Sequence, residues 1–363
     1  MSSLCLCMIV KDEAAVIERC LASVRDLIDH WVICDTGSTD GTKRLIAETL
    51  EGIPGELHER PWVDFGHNRT EALRLARGKA DYLLLLDADW TFEAQSGALE
   101  GLTDDVYLVR HVHNPAGGFE LFNRHLVRGD LDWRYVGAAH EYIETDGPTT
   151  EGRLEGAWIV NWADGGVGRE RRWRRDVELL EKDLARDPGN LRSLFYLAQT
   201  QRDLGETARA LELYAKRAAS GGWEEEVYYS LYQVGALSEW PAAAEALIRA
   251  WEYRPARAEA LYRLVLGLRE RDLHQAAYAL ASRGIKLEQP GDILFVEPWV
   301  YRWGLLFEFS ISAYWVGRPD EALDACDSLL AIPELPDNHR EQTVRNREFC
   351  VQAGGEPSAT TAT

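Results

Sequence analysis

Asp87-Ala88-Asp89 follows directly on the aliphatic run Tyr82–Leu86. A short, unbroken apolar run reads as a buried strand, and ligands of open α/β sheets sit beyond the carboxyl ends of the strands. Two carboxylates one residue apart can hold a hard divalent cation, Mg2+ or Mn2+, with diphosphate oxygens filling further positions. Such an ion would neutralise the charge that builds on a departing nucleoside diphosphate. The tripeptide by itself also describes a solvated turn; its place after the apolar run is what favours chemistry. A second segment is Asp35-Thr36-Gly37-Ser38-Thr39-Asp40-Gly41. Gly37 and Gly41 allow positive φ, and Asp35 at a strand end can accept hydrogen bonds from a base or a ribose. The same segment is a competent helix-capping turn, with Thr39 or Asp40 as the N-cap.

These residues need a sheet to carry them. Residues 4–165 alternate short apolar runs with amphipathic stretches, the pattern of β/α units. The pattern predicts strands at Leu4–Val10, Trp31–Cys34, Tyr82–Leu86, Val106–Val109 and Ala157–Val160, and helices at Ala14–Leu27, Thr42–Leu50 and Thr70–Arg77. Unbroken apolar strands suit a central, mostly parallel sheet covered on both faces. From Arg169 onward long helical periods rich in Ala, Leu, Glu and Arg take over. Aligning Pro188 with Pro255, an offset of 67 residues, superposes Leu194 on Leu261, Phe195 on Tyr262, Leu197 on Leu264, Ala210 on Ala277 and Leu213 on Leu280. That offset is about two units of the 34-residue tetratricopeptide period, whose helical hairpins bury their faces only against their neighbours. The expected organisation is an α/β, Rossmann-like nucleotide-binding domain over 1–168, an all-α tetratricopeptide-like domain over 169–352, and a small, polar, disordered tail over 353–363.

Three ordered motifs carry a family resemblance: Cys7-Met8-Ile9-Val10-Lys11-Asp12-Glu13, Cys34–Thr42, and Leu86-Asp87-Ala88-Asp89. Together they resemble family 2 glycosyltransferases of the GT-A fold, which implies inverting transfer from a nucleoside-diphosphate sugar, with uracil as the base by family habit. On that resemblance Lys11, Asp12, Glu13 and Asp35 line the nucleoside pocket, Arg69 lies near the nucleotide, and Asp87 and Asp89 serve ribose and metal. Many relatives have a second Asp where this chain has Thr36, and an acid where it has Trp90. Trp133–Glu141 resembles a stretch of the subgroup with Asp-Thr-Gly-Ser loops, which implies Glu141 as the base that deprotonates the acceptor and His140 as a further metal ligand. The two roles can be exchanged, and Asp130 and Asp132 are rival bases. A lone His-Glu pair is otherwise an ordinary hydrogen-bonded pair. Phe195–Gln199, Arg202–Gly205 and Gly221–Tyr229 resemble the tail of bacterial and phage family 2 transferases, some similar to bacteriocin-type peptide S- and O-glycosyltransferases. That implies a Cys or Ser acceptor on a peptide or protein, bound between the two domains; a cell-envelope glycan is the alternative acceptor, and a non-catalytic peptide-binding scaffold the alternative class.

Bulk properties narrow the partners. With 40 Lys and Arg against 60 Asp and Glu, the net charge of −20 disfavours nucleic acid and anionic membranes. The longest aliphatic run is far too short to span a bilayer, and Leu4–Val10 lacks the basic flank and cleavage site of a signal peptide, so a cytoplasmic location is expected. A homodimer is compatible with the helical surface. Six cysteines without Cys-x-x-Cys spacing read as buried reduced thiols. His111, His113 and His125 lack the convergent spacing of a zinc site and read as satisfied histidines. Trp133 and Trp162 are candidate sugar platforms, though large aromatics are more often core. The basic run Arg169–Arg175 reads as a solvated helix start, with contact to diphosphate or an acidic acceptor as the alternative.

Overall fold

The computed structural model describes residues 2–113, 120–137, 139–162 and 169–354. Its α/β part comprises β1 (Leu4–Val10), α1 (Ile17–Val24), β2 (His30–Asp35), α2 (Thr42–Thr49), β3 (Gly55–Glu59), α3 (Phe65–Ala76), β4 (Tyr82–Leu85), β5 (Trp90–Ala94), β6 (Val106–His113), β7 (Glu120–Arg128), β8 (Arg134–Val136), β9 (Tyr142–Glu144) and β10 (Glu151–Asn161). Eight strands form one sheet in the order β3-β2-β1-β4-β7-β6-β10-β5, and β8 pairs with β9. The pairs β3–β2, β2–β1, β1–β4 and β6–β10 are parallel, whereas β7 runs antiparallel to β4 and β6 and β5 antiparallel to β10, so the sheet is mixed, with β7 and β5 running against the other six strands.

Alternation along β1 explains its unbroken apolar character. Leu4, Leu6, Met8 and Val10 pack with Ile17, Leu21 and Val24 of α1 and Ile46 of α2, while Cys5 and Cys7 pack with Ala72, Leu73 and Ala76 of α3. A strand buried on both faces has no polar positions to show. All six cysteines are buried free thiols, as their spacing predicts. Helix α3 begins five residues before the expected Thr70, because the Asp64 side chain caps it by accepting from His67 N at 2.7 Å.

The helical part comprises α4 (Arg169–Arg186), α5 (Leu191–Asp203), α6 (Thr207–Ala219), α7 (Glu224–Leu237), α8 (Ala242–Tyr253), α9 (Glu259–Arg269), α10 (His274–Gly284), α11 (Leu305–Trp315), α12 (Pro319–Leu330) and α13 (Asp337–Gln352), with a π turn at Val300–Gly304. The 67-residue offset is realised: Leu194 and Leu261 are buried on α5 and α9, and Ala210 and Ala277 on α6 and α10. Compactness divides the chain after Leu213, so α4 and α5 group with the sheet rather than with the later helices. Within residues 214–354, the fully buried Arg257 pairs with Glu259 at 2.9 Å and Asp292 at 3.1 Å and donates to Leu294 O and Phe295 O, pinning the segment between α10 and α11. Most of the expected disordered tail lies outside the described residues.

Candidate functional site

The carboxyl ends of β1, β2 and β4 bring the sequence motifs together. Asp35 ends β2 and is fully buried; its Oδ1 accepts from Gly37 N at 2.9 Å and Ser38 N at 2.8 Å, while its buried Oδ2 has no hydrogen-bond partner. Gly37 adopts φ +108°, which glycine alone takes without strain. An orphaned buried carboxylate oxygen is costly, and a ligand N–H or O–H would satisfy it. Thr36 stands where many relatives have a second Asp, and its hydroxyl donates to Val10 O at 3.1 Å, a purely structural contact. Asp12 Oδ1 accepts from Thr39 N at 2.7 Å, and Glu13 N donates to Thr42 Oγ1 at 2.8 Å, so the two loops are tied to each other. Lys11 is exposed beside them.

Arg69 of α3 links the remaining candidates. Its Nη2 lies 2.6 Å from Asp87 Oδ1 and its Nε 2.5 Å from Glu141 Oε1, although that second contact is poorly aligned for a hydrogen bond. Burial opposes the charge on Arg69, but the Asp87 and Glu141 carboxylates outweigh it and hold the guanidinium firmly protonated. Asp89 is nearly buried, and Arg172 of α4 approaches it at 3.9 Å. The basic helix start therefore faces the acidic loop rather than only solvent.

His140 goes elsewhere. It stacks on Tyr196 of α5 at 4.2 Å with 5° between the rings, and its charged neighbours are Asp176 and Arg192. Desolvation by packing against Tyr196 lowers the imidazole pKa, while the residue as a whole is exposed. Among the described residues no group of three or more His, Cys, Asp and Glu is placed to hold a metal ion. The backbone at His140 is left-handed, φ +51°, and its side chain meets Tyr196 of α5 while that of Glu141 meets Arg69 of α3. Asp87 and Asp89 still offer hard oxygen donors that suit Mg2+ or Mn2+, provided diphosphate and water complete the shell.

Other candidates fall away from this centre. Asp130 and Asp132 are exposed near Arg128 and Arg77. Trp133 is core, its Nε1 donating to Arg128 O at 2.8 Å. Trp162 is exposed under Arg19. His111 and His125 face each other at 2.5 Å beneath Trp90; His125 Nδ1 donates to Leu85 O, and burial pushes its imidazole down to about 4. The side chain of His113 lies outside the described residues. Arg192 and Asp176 carried no signal in the sequence, and Tyr196 stood there only as part of Phe195–Gln199, since only the fold brings α4 and α5 to the Glu141 turn.

Fold and site define an α/β domain of GT-A type followed by a tetratricopeptide-like all-α array. Residues 5–126 match the family model described as Glycosyl transferase family 2, so the N-terminal part of the chain carries a domain of that family. Among curated proteins, the chain is 42% identical over 90 residues to a TPR repeat-containing protein of Synechococcus elongatus, covering 24% of this chain and 21% of that one. It is 35% identical over 82 residues to an uncharacterized glycosyltransferase of Rickettsia bellii, covering 23% and 26%. The matches thus span about a fifth and a quarter of those relatives' own lengths. Solved structures with partial likeness include MamA, at 21% identity over 48% of this chain and 87% of that one with TM-score 0.35. Another is glucosyl-3-phosphoglycerate synthase from Mycobacterium tuberculosis in complex with Mg2+ and uridine diphosphate, at 18% identity over 31% and 44% with TM-score 0.25. Among the described residues no helix is long and apolar enough to cross a membrane.

Proposed function

We propose that this chain is an inverting, metal-dependent glycosyltransferase that moves a hexose or N-acetylhexosamine from a UDP-sugar to a Cys or Ser side chain of a peptide or protein. The observation that carries this reading is the orphaned Asp35 Oδ2 set at the same strand ends as Asp87, Asp89 and the Arg69–Glu141 pair. Asp35 would accept a hydrogen bond from the nucleoside, within the rim formed by Lys11, Asp12 and Glu13. Asp87 and Asp89 would hold a divalent cation, which would neutralise the leaving diphosphate. Glu141 would take the proton from the acceptor Oγ or Sγ as that atom bonds to the sugar C1 and the C1–O bond to diphosphate breaks. A single displacement of this kind inverts the anomeric centre. The helical array favours a peptide acceptor, since stacked hairpins present extended surfaces.

The test is release of nucleoside diphosphate from UDP-, GDP- and dTDP-sugars with Mn2+ or Mg2+, without and with Cys- and Ser-containing peptides. Turnover of one donor, abolished in Asp89→Ala and in Glu141→Gln, is expected, with Glu141→Gln still binding donor by calorimetry. Failure of every nucleotide sugar to bind with either metal would sink the reading. Stimulation by glycans and not by peptides would move the acceptor to the cell envelope.

A further inference from the structure

The turn that carries Glu141 is gripped from two sides. On the α3 side, Tyr135 N donates to Thr70 Oγ1 at 2.9 Å and Glu141 pairs with Arg69. The approach is so close that a Cβ on Gly66 would stand 2.4 Å from Gly137 O. On the α5 side, Arg192 Nε donates to His140 O at 3.1 Å, and its guanidinium lies 4.9 Å from the Tyr196 ring and 5.4 Å from the Tyr142 ring. The His140 imidazole lies flat on Tyr196. Left-handed backbone at a non-glycine residue is unfavourable and persists where the surroundings over-determine it. The stack and the hydrogen bond to His140 O supply that constraint, and the conformation they hold sends Glu141 back toward Arg69.

We propose that Tyr196 and Arg192 are positioning residues for the catalytic base: by holding His140 left-handed, α5 aims Glu141, and the first helices of the array are thereby part of the catalytic unit. This rests on Glu141 being the base. It accounts for two features together: the division of the chain after Leu213, and the stacked ring pair beside an exposed Tyr142.

The experiment uses the full chain with Tyr196→Leu, Tyr196→Phe and Arg192→Ala, and Glu141→Gln as reference. Misplacing a reacting group by about 1 Å costs up to about a hundredfold, so Tyr196→Leu is expected to lower kcat by about tenfold or more while UDP affinity stays within about twofold. Tyr196→Phe keeps the ring and is expected to recover most of kcat. An independent readout is the nuclear magnetic resonance signal of the His140 ring, assigned from its loss in His140→Gln. Ring current from Tyr196 shifts it upfield in the parent and in Tyr196→Phe, and the shift disappears in Tyr196→Leu. A Tyr196→Leu protein that loses the ring-current shift yet keeps full kcat overturns the proposal. So does equal loss of donor binding and kcat in the Leu and Phe variants, which would mark Tyr196 as merely structural. Full turnover in Glu141→Gln defeats the assignment of the base instead, and the resonance of His140 then decides by itself whether α5 holds the turn.

Discussion

At Asp35 the two carboxylate oxygens do different work. Oδ1 closes the loop by accepting from Gly37 and Ser38, and Oδ2 is buried with no donor. An Asn there keeps an oxygen for the turn and places an amide where an acceptor is wanted. Asp35→Asn is therefore expected to weaken UDP binding by about 1–3 kcal/mol, the penalty of a mispaired buried group, with little change in the unfolding midpoint; calorimetry and thermal unfolding read the two. His125 makes a different prediction. Burial lowers its folded-state pKa to about 4 from an ordinary 6.5, so the unfolded chain binds more protons between those values. The stabilisation is complete above pH 6.5 and is lost as the pH falls through about 4, by up to about 3 kcal/mol. Urea unfolding from pH 7 to pH 4 should show that loss, and His125→Gln should flatten it.

Helix α3 and the β8–β9 hairpin form the element pair on which the site depends. At Gly66 α3 comes close to the turn, facing the backbone carbonyl of Gly137 rather than a side chain that could rotate away. Gly66→Ala is expected to separate helix and turn, destabilising the fold by about 1–3 kcal/mol and lowering turnover along with it, as read by chemical denaturation and steady-state rates. The long, apolar elements were legible in the sequence: β1, β2 and β4 fall where their apolar runs predict, and α5 and α9 recur at the predicted offset. β5 (Trp90–Ala94) and the nine-residue β7 (Glu120–Arg128) were not, nor were the short polar elements. β3 (Gly55–Glu59), β8 and β9 carry little apolar pattern of their own and exist through pairing with neighbours already in place.

At the scale of the whole molecule, the change in sequence pattern near Arg169 and the change in contacts after Leu213 do not coincide. Helices α4 and α5 have repeat-like sequences yet group with the α/β part: Arg172 of α4 reaches Asp89, Arg175 of α4 lies 4.8 Å from the Phe65 ring, and Tyr196 of α5 stacks on His140. A chain ending at Ala219 is expected to fold and bind UDP, whereas one ending at residue 168 is expected to lose donor binding and expose apolar surface. Calorimetry and dye binding would separate these outcomes, and equal donor binding by both fragments would show that α4 and α5 are dispensable to the site.

From the sequence alone came the fold class, the helical repeat, and the identity of the carboxylates at the strand ends. The first and last are local properties, since strand periodicity and the residue following an apolar run lie within a few positions of one another, and the repeat is the recurrence of one local helical pattern 67 residues on. Tertiary structure decided what those residues face. It left Asp35 Oδ2 without a donor, set Arg69 between Asp87 and Glu141, and turned His140 away from the acidic loop onto Tyr196. These are contacts between residues far apart in the chain, fixed by the left-handed turn at His140 and the close approach at Gly66, and no local pattern of residue types encodes them.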